Sequence, residues 1–291
     1  MEGYVPITRK GKDFIARQCN RLGNRLLRGE SGPLAFTNYI DEQGKQTDFF
    51  DPKTDLENGE FVIDATIFGI RLSPTTMPTF LIRAFENYSE MFGLDANYMV
   101  ALAHIESNFI LWAYPRMSRF NSAASGISQF LPSTIHDVVV REIQTPQNTF
   151  SLEEKLAICN EVEGRRNADG IILGIEPFNH RTNLGKRNRA QIHMNIINNP
   201  QISIKAQCAY ISSIAARTDN LASSTLFGYN RGPGYAKPNY LDSMNSAKND
   251  AGYHLEGIDY VNKIFTLMNN NFGYENRLMM SNRVDKVFIP R

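Results

Sequence analysis

Glu106, followed by Ser107, stands where a carboxyl group could do acid chemistry. Met99, Leu102 and Ala103 lie one or two helical turns before it and Phe109 three residues after, so the carboxyl is expected at the edge of an apolar core. Such surroundings penalise the charged form and keep a glutamic acid, ordinarily with a pKa of about 4.3, protonated near neutral pH. A protonated glutamic acid suits glycosidic bond cleavage, where an acid protonates the leaving oxygen as positive charge develops at the anomeric carbon.

Three more segments fit the same chemistry. Gly126-Ile127-Ser128-Gln129 reads as a tight glycine turn entering a helix at Pro132-Ser133. Gln129 offers a donor and an acceptor, suited either to sugar hydroxyl and N-acetyl groups or to a structural hydrogen bond. Tyr229-Asn230 precede Arg231-Gly232-Pro233-Gly234, a rigid loop. A tyrosine there offers an apolar face for a pyranose ring and a polar tip, or is simply buried against backbone. Glu256 lies four residues before Tyr260-Val261. Each segment is ordinary alone, because Gly-Pro-Gly is a common turn and Glu-Ser a common dipeptide. Their order together points to one carbohydrate-cleaving site.

The elements that must position these residues are mostly helical. From Thr79 to about Met91 the apolar spacing predicts a helix stopped by Gly93, and Asp95 is a good cap for a second one reaching Glu106 and Phe109. Further helices are expected around Ser133 to Ile143, Leu152 to Glu163, Ile202 to Ala216 and Ile258 to Met268. The N-terminal part differs. Lys12 to Arg28 reads as a helix with an apolar stripe (Ile15, Cys19, Leu22, Leu26) and a basic one (Arg17, Arg21, Arg25, Arg28), either a solvated face or a contact for a polyanion. Phe36 to Ile40 and Gln46 to Phe50 flank a hairpin turn, and Phe61 to Leu72 continues the β texture. The expected class is therefore α+β: a small helix-plus-β module over 1–76, a mainly α domain over 77–275 with an insert at about 138–193, and a tail over 276–291.

With 291 residues, 42% of them hydrophobic, the chain can bury a substantial core. Its 31 basic and 30 acidic residues leave a net charge of +1, so no overall field marks a nucleic-acid binder and no nucleic acid is expected. Cys19, Cys159 and Cys208 are far apart and form no Cys-x-x-Cys or Cys/His cluster, so no metal is expected. No apolar run approaches a membrane span, and the first residues do not read as a secretory signal.

The four segments resemble those of the soluble lytic transglycosylases, which cleave peptidoglycan on a lysozyme-like α fold. That family carries a Glu-Ser pair, a Gly-Leu-Met-Gln turn, an Ala-Tyr-Asn-Ala-Gly-Pro-Gly loop and a late Glu-Thr-x-x-Tyr-Val helix. The matches here are Glu106-Ser107, Gly126 to Gln129, Gly228 to Gly234, and Glu256 to Val261. Asn199-Pro200 with Ile202 to Ile211 is similar to a further family helix, and the resemblance covers roughly Pro78 to Met268. It implies Glu106 as the catalytic acid and then base, with Ser107, Gln129, Tyr229, Asn230 and Glu256 as substrate-binding residues and no cofactor. Ser107 is read as an orienting or cleft residue rather than a nucleophile, since no Ser-His-Asp pattern accompanies it.

Ser128 stands in place of the family's methionine and Arg231 in place of its alanine, which implies a more polar cleft wall. The insert carries Arg165, Arg166, Arg181, Lys186, Arg187 and Arg189, as a cover, a docking surface or a solvated elaboration. Two alternatives stand beside the transglycosylase: a goose-lysozyme-like muramidase that hydrolyses the same bond, and a non-catalytic wall-binding protein. The implied partner is the peptidoglycan glycan strand. Without a secretory signal, the expected setting is a phage virion or tail, with other virion proteins as partners, acting on the cell wall or periplasm; an endolysin or a secretion-machine component are the other settings.

Overall fold

A computed structural model provides the structure. It describes residues 4–27, 39–40, 46–47, 56–57, 60–62, 71–72, 77–111, 113, 124–143, 145–159, 164–166, 172–175, 192–193, 195–248 and 251–274. Helices dominate these residues, and no helix among them is long and apolar enough to cross a membrane. The chain forms two compact units, each discontinuous in sequence. The first comprises Met1–Arg17, Pro78–Ile105 and Gln207–Arg291; the second comprises Gln18–Met77 and Glu106–Ala206.

In the first unit, the Met77–Phe92 helix buries Leu81, Ala84 and Phe85 along one stripe. It ends at Gly93, whose φ of 64° is left-handed, with the Leu94 N–H donating to Ser89 O at 2.8 Å and the Gly93 N–H to Glu90 O at 3.2 Å. This paired closure satisfies carbonyls that a helix end otherwise leaves open. The next helix, Ala96–Ser107, is capped by Asp95, whose Oδ1 accepts from the Asn97 N–H at 2.9 Å. Tyr98 through Ala103 are all buried, so this helix has no solvated face over its middle turns. Gln207 and Cys208 of the Pro200–Ala215 helix meet the two preceding helices: Gln207 Nε2 donates to Met99 O at 3.1 Å, and Cys208 Sγ lies 4.0 Å from Ser89 Oγ. The Ala251–Asn271 helix buries Tyr260, Val261, Ile264, Phe265 and Met268, and Phe265 meets the Tyr98 ring edge-on.

Residues 4–17 belong to this unit rather than to a separate N-terminal module. The Ala96 N–H donates to Val5 O at 2.9 Å and the Thr8 N–H to Asn97 Oδ1 at 2.8 Å, while Thr8 Oγ1 donates to Phe272 O at 3.1 Å. Phe14 packs against His104 and Phe272, and Lys12 pairs with Glu86 at 2.9 Å. The chain start is thus fastened both to the cap of the Ala96–Ser107 helix and to the end of the last helix. Of the β module expected up to residue 76, only short pieces are described: Tyr39–Ile40 paired with Gln46–Thr47, and Leu56–Glu57, Glu60–Val62 and Arg71–Leu72 in a second ladder. The rest of it lies outside the described residues, as does the expected 276–291 tail.

The second unit contains the Pro132–Ile135 helix, with proline at its first turn, running into one π-helical turn at His136–Val140. The Leu152–Ile158 helix starts on a capping box in which Ser151 Oγ accepts from the Glu154 N–H and Glu154 accepts from the Ser151 N–H. The end of the π-helical turn and the whole Leu152–Ile158 helix fall inside the expected insert, yet Val138, Val139, Phe150, Ile158 and Cys159 are buried. The first third of that stretch therefore contributes these side chains to the core, as does His193 at its far end. Between them the described residues show one antiparallel pair, Gly164–Arg166 with Ile172–Ile175; Arg181, Lys186, Arg187 and Arg189 lie outside the described residues.

A buried charge holds the 141–159 segment. Glu142 is 4% exposed and accepts from the Asn148 and Phe150 N–H groups at 3.0 Å each and from Lys155 Nζ at 3.0 Å. Burial pushes its pKa up, but the bonds from Phe150, Lys155 and Asn148 together outweigh it and hold the carboxyl below its ordinary 4.5. With a lowered native pKa the unfolded chain binds the proton more tightly. This stabilisation is therefore full above pH 4.5 and is lost as pH falls through the native value. Glu142→Gln is expected to lower stability by about 1–3 kcal/mol at pH 7. In urea denaturation the gap to wild type should narrow in acid; a gap unchanged by acid would assign the loss to packing instead.

Candidate active site

Glu106 and Ser107 form the end of the Ala96–Ser107 helix, which stops because Asn108 and Phe109 both take left-handed backbone, at φ 53° and 64°. Asparagine tolerates this conformation, whereas for phenylalanine it costs on the order of 1–3 kcal/mol. Phe109 is buried, as are Ile110 and Leu111, so the surrounding core holds it there. Glu106 itself is half-buried beside this apolar run. Of the seven non-glycine residues with positive φ among those described, only Phe109, Gln129 and Glu142 are not Asn or Asp. Two of the three flank this site.

Ser107 is 1% exposed, and its Oγ donates to Ile127 O at 2.8 Å. The first sequence segment is thereby tied to the middle of the second. That second segment is a closed loop: Ser125 and Phe130 exchange backbone hydrogen bonds of 3.1 and 3.2 Å across Gly126 to Gln129. Gly126 is required twice over. Its φ is 71°, and a Cβ there would lie 2.7 Å from Ile196 Cγ2; its N–H donates to Ala113 O at 2.7 Å. Gln129, at φ 47°, turns its Nε2 back onto Gly126 O at 2.8 Å, so part of its amide closes its own turn. Ser128 is buried with its Oγ donating to Ser203 O at 3.2 Å, so it is a core residue and not part of a polar cleft wall.

Sequence reasoning missed the support beneath this loop. His193 Nδ1 lies 2.9 Å from Ser125 Oγ, both residues being buried, and fixes the loop at its closing residue. No local spacing links two residues 68 positions apart, so nothing in the sequence pattern signals the pair.

The remaining candidates belong to the first unit. Tyr229, Asn230 and Arg231 end the Ala222–Arg231 helix, which closes on Gly232 at φ 105° with its N–H donating to Gly228 O at 2.9 Å. Tyr229 packs its ring against Tyr210, centroids 5.6 Å apart and tilted by 57°. Arg231 connects two of the predicted site residues: its Nε–H donates to Asn230 Oδ1 at 2.6 Å and its Nη2 pairs with Glu256 Oε1 at 2.9 Å. Arg231 and Tyr210 are thus additions to the predicted set, Arg231 as a tie and Tyr210 as a support for Tyr229.

Chemically, the second unit offers a half-buried carboxyl on a strained helix end, next to a loop whose atoms are fixed by hydrogen bonds. The first unit offers a carboxylate, an amide and an aromatic ring held by their neighbours. Among the described residues no group of three or more His, Cys, Asp or Glu side chains could hold a metal ion. Gly126→Ala is expected to cost about 2–4 kcal/mol through backbone strain and the collision with Ile196. Ser107→Ala, which strips a buried carbonyl of its donor, should cost about 1–3 kcal/mol. Urea denaturation measures both, and a Ser107→Ala chain as stable as wild type would show that the bond to Ile127 contributes nothing.

Comparison with protein-family models, with curated proteins and with solved structures finds no match to this chain.

Proposed function

We propose that this protein is a peptidoglycan lytic transglycosylase with a lysozyme-like catalytic domain, and that Glu106 is its acid and then its base. The observation that carries the reading is the 2.8 Å hydrogen bond from Ser107 to Ile127, which joins the Glu-Ser pair to the Gly126 to Gln129 turn. Two segments read from sequence as parts of one site are there tied by a buried side chain. The assignment of Tyr229, Asn230 and Glu256 to sugar binding rests on their side-chain types and on their order in the chain.

The proposed step balances without water. Glu106 donates its proton to the oxygen linking N-acetylmuramic acid to N-acetylglucosamine, and the C1–O bond breaks. The resulting carboxylate takes the proton of the muramic C6 hydroxyl as O6 bonds to C1, which leaves a 1,6-anhydro end and regenerates the acid. The second carboxylate of the usual glycosidase pair is unnecessary because the substrate supplies the nucleophile. In this scheme Ser107 holds the helix end in place through Ile127, and Gln129 offers the sugar the part of its amide not spent on Gly126. Delivery to the wall as a virion or tail component, beside other virion proteins, is part of the same proposal.

Glu106→Gln keeps the side-chain shape and removes the transferable proton. It should reduce solubilisation of purified sacculi by at least about a thousandfold, the order expected for loss of an acid–base group. Turbidity clearance measures it, and undiminished clearance would sink the assignment.

A further inference from the structure

The Arg9–Leu27 helix has two faces of opposite character. Phe14, Ile15, Cys19 and Leu22 are buried, whereas Arg9, Lys10, Asp13, Arg17, Asn20 and Arg21 are exposed. Lys12, at the margin, is spent on Glu86 at 2.9 Å. The exposed cations have no such tie: among the described residues none of Arg9, Lys10, Arg17 and Arg21 has an ion pair or a side-chain hydrogen bond. A chain with a net charge of only +1 thus gathers four positive charges, against the one negative charge of Asp13, on a single helix face. At 1.5 Å and 100° per residue, Arg17 stands about 12 Å beyond Arg9 and Arg21 about 6 Å further, within roughly a third of the helix circumference. The cations therefore form a nearly straight row about 18 Å long.

A row of fixed cations suits a thread whose own charges follow one another along its backbone. We propose that this face docks a phosphodiester-linked anionic polymer of the bacterial wall, of the poly(glycerol phosphate) kind, and so retains the protein there. The source of the polymer rests on the wall-acting function proposed above, and the proposal extends that function to a second surface. Three features of the face select this partner. Three of its four cations are arginines, whose planar fork meets the two free oxygens of a phosphodiester. None of its six exposed positions is aromatic, so it has no platform on which the bases of a single-stranded nucleic acid would stack. The peptide stems of peptidoglycan carry carboxylates on short branches, each of which reaches one arginine at a time, whereas main-chain phosphates reach successive helical turns together. Asp13 stands one turn from Arg9 and one turn from Arg17, and it weakens the field along the row.

The test is titration calorimetry of the full chain with soluble poly(glycerol phosphate), with single-stranded poly(dT) of equal charge and a disaccharide pentapeptide as comparisons. Wild type should bind the glycerol phosphate polymer at least about tenfold more tightly than either comparison at low salt. Its affinity should fall roughly fiftyfold between about 50 and 200 mM salt, as four contacts each release about 0.7 of a counterion. The triple substitution Arg9→Gln, Arg17→Gln, Arg21→Gln should weaken binding at least about tenfold and reduce the slope of log affinity against log salt by about two. Asp13→Asn should tighten binding about two- to fourfold, a gain that loss of folding would not produce. The proposal is overturned if wild type does not bind the polymer, if the triple variant binds it as wild type does, or if Asp13→Asn leaves the affinity unchanged. It is also overturned if the pentapeptide or poly(dT) binds as tightly, the latter making this a nucleic-acid surface. None of these readouts requires cleavage. Polymer binding that depends on the three arginines, in a chain that solubilises no sacculi, would end the transglycosylase reading and leave this one standing; lysis by a chain that binds no polymer would do the reverse.

Discussion

The candidate site depends on one buried hydrogen bond, from the hydroxyl of Ser107 to the carbonyl of Ile127. Around it everything is constrained. The helix before it must end at Ser107, which forces Asn108 and then Phe109 into left-handed backbone. The loop that receives it must turn within four residues, which requires glycine at 126, a left-handed Gln129 and the Ser125–Phe130 pairing. Removing a donor from a buried carbonyl exposes the full desolvation cost of that group, so the arrangement stands or falls as a unit. Glu106, the residue just before Ser107, inherits its position from this chain of contacts.

The helix itself is set at its other end by polar groups. Asp95 caps its start, accepts from Asn97 through both backbone and side chain, and receives the hydroxyl of Tyr274 from beyond the last helix. Burial raises the pKa of Asp95 from its ordinary 3.8, against the bonds from Tyr274 and Asn97, which lower it. Asn97 also donates to Pro6 O at 3.0 Å and accepts from Thr8. A single cap thus gathers the chain start, the helix and the residues after the final helix, which gives the first unit its closure despite three separate stretches of sequence.

Much of this was legible in the sequence. The helices announced themselves through apolar spacing, and their ends through Gly93, Asp95 and Pro132, because those signals are local. Glu106, Ser107 and the Gly126 turn were legible as types and the structure ties them together. What the sequence hid was every long-range partnership. Nothing in the local pattern marks Glu142 and Lys155 as partners, yet the buried carboxylate accepts from two backbone N–H groups and from that ammonium. Thr8, beside the start of a helix with a basic stripe, gave no hint that its N–H is bonded to Asn97, 89 residues away. Ser128 and Arg231 looked like changes to a cleft wall. Ser128 is instead core, and Arg231 a buried tie whose room depends on a glycine at 257.

Both units therefore display the same arrangement: a polar side chain exposed in part, with a buried side chain beside it that does not itself reach outward. Ser107 does this for the end of the helix that carries Glu106, and Arg231 does it for Asn230 and Glu256. The central claim concerns the reaction, and its products report on it directly. Mass spectrometry of the muropeptides released from purified sacculi by the full chain should show 1,6-anhydro-muramic ends, with the mass of one water less than the hydrolytic products. Reducing muramic ends would contradict the account and make the protein a hydrolase, and the absence of any released fragment would contradict wall cleavage altogether.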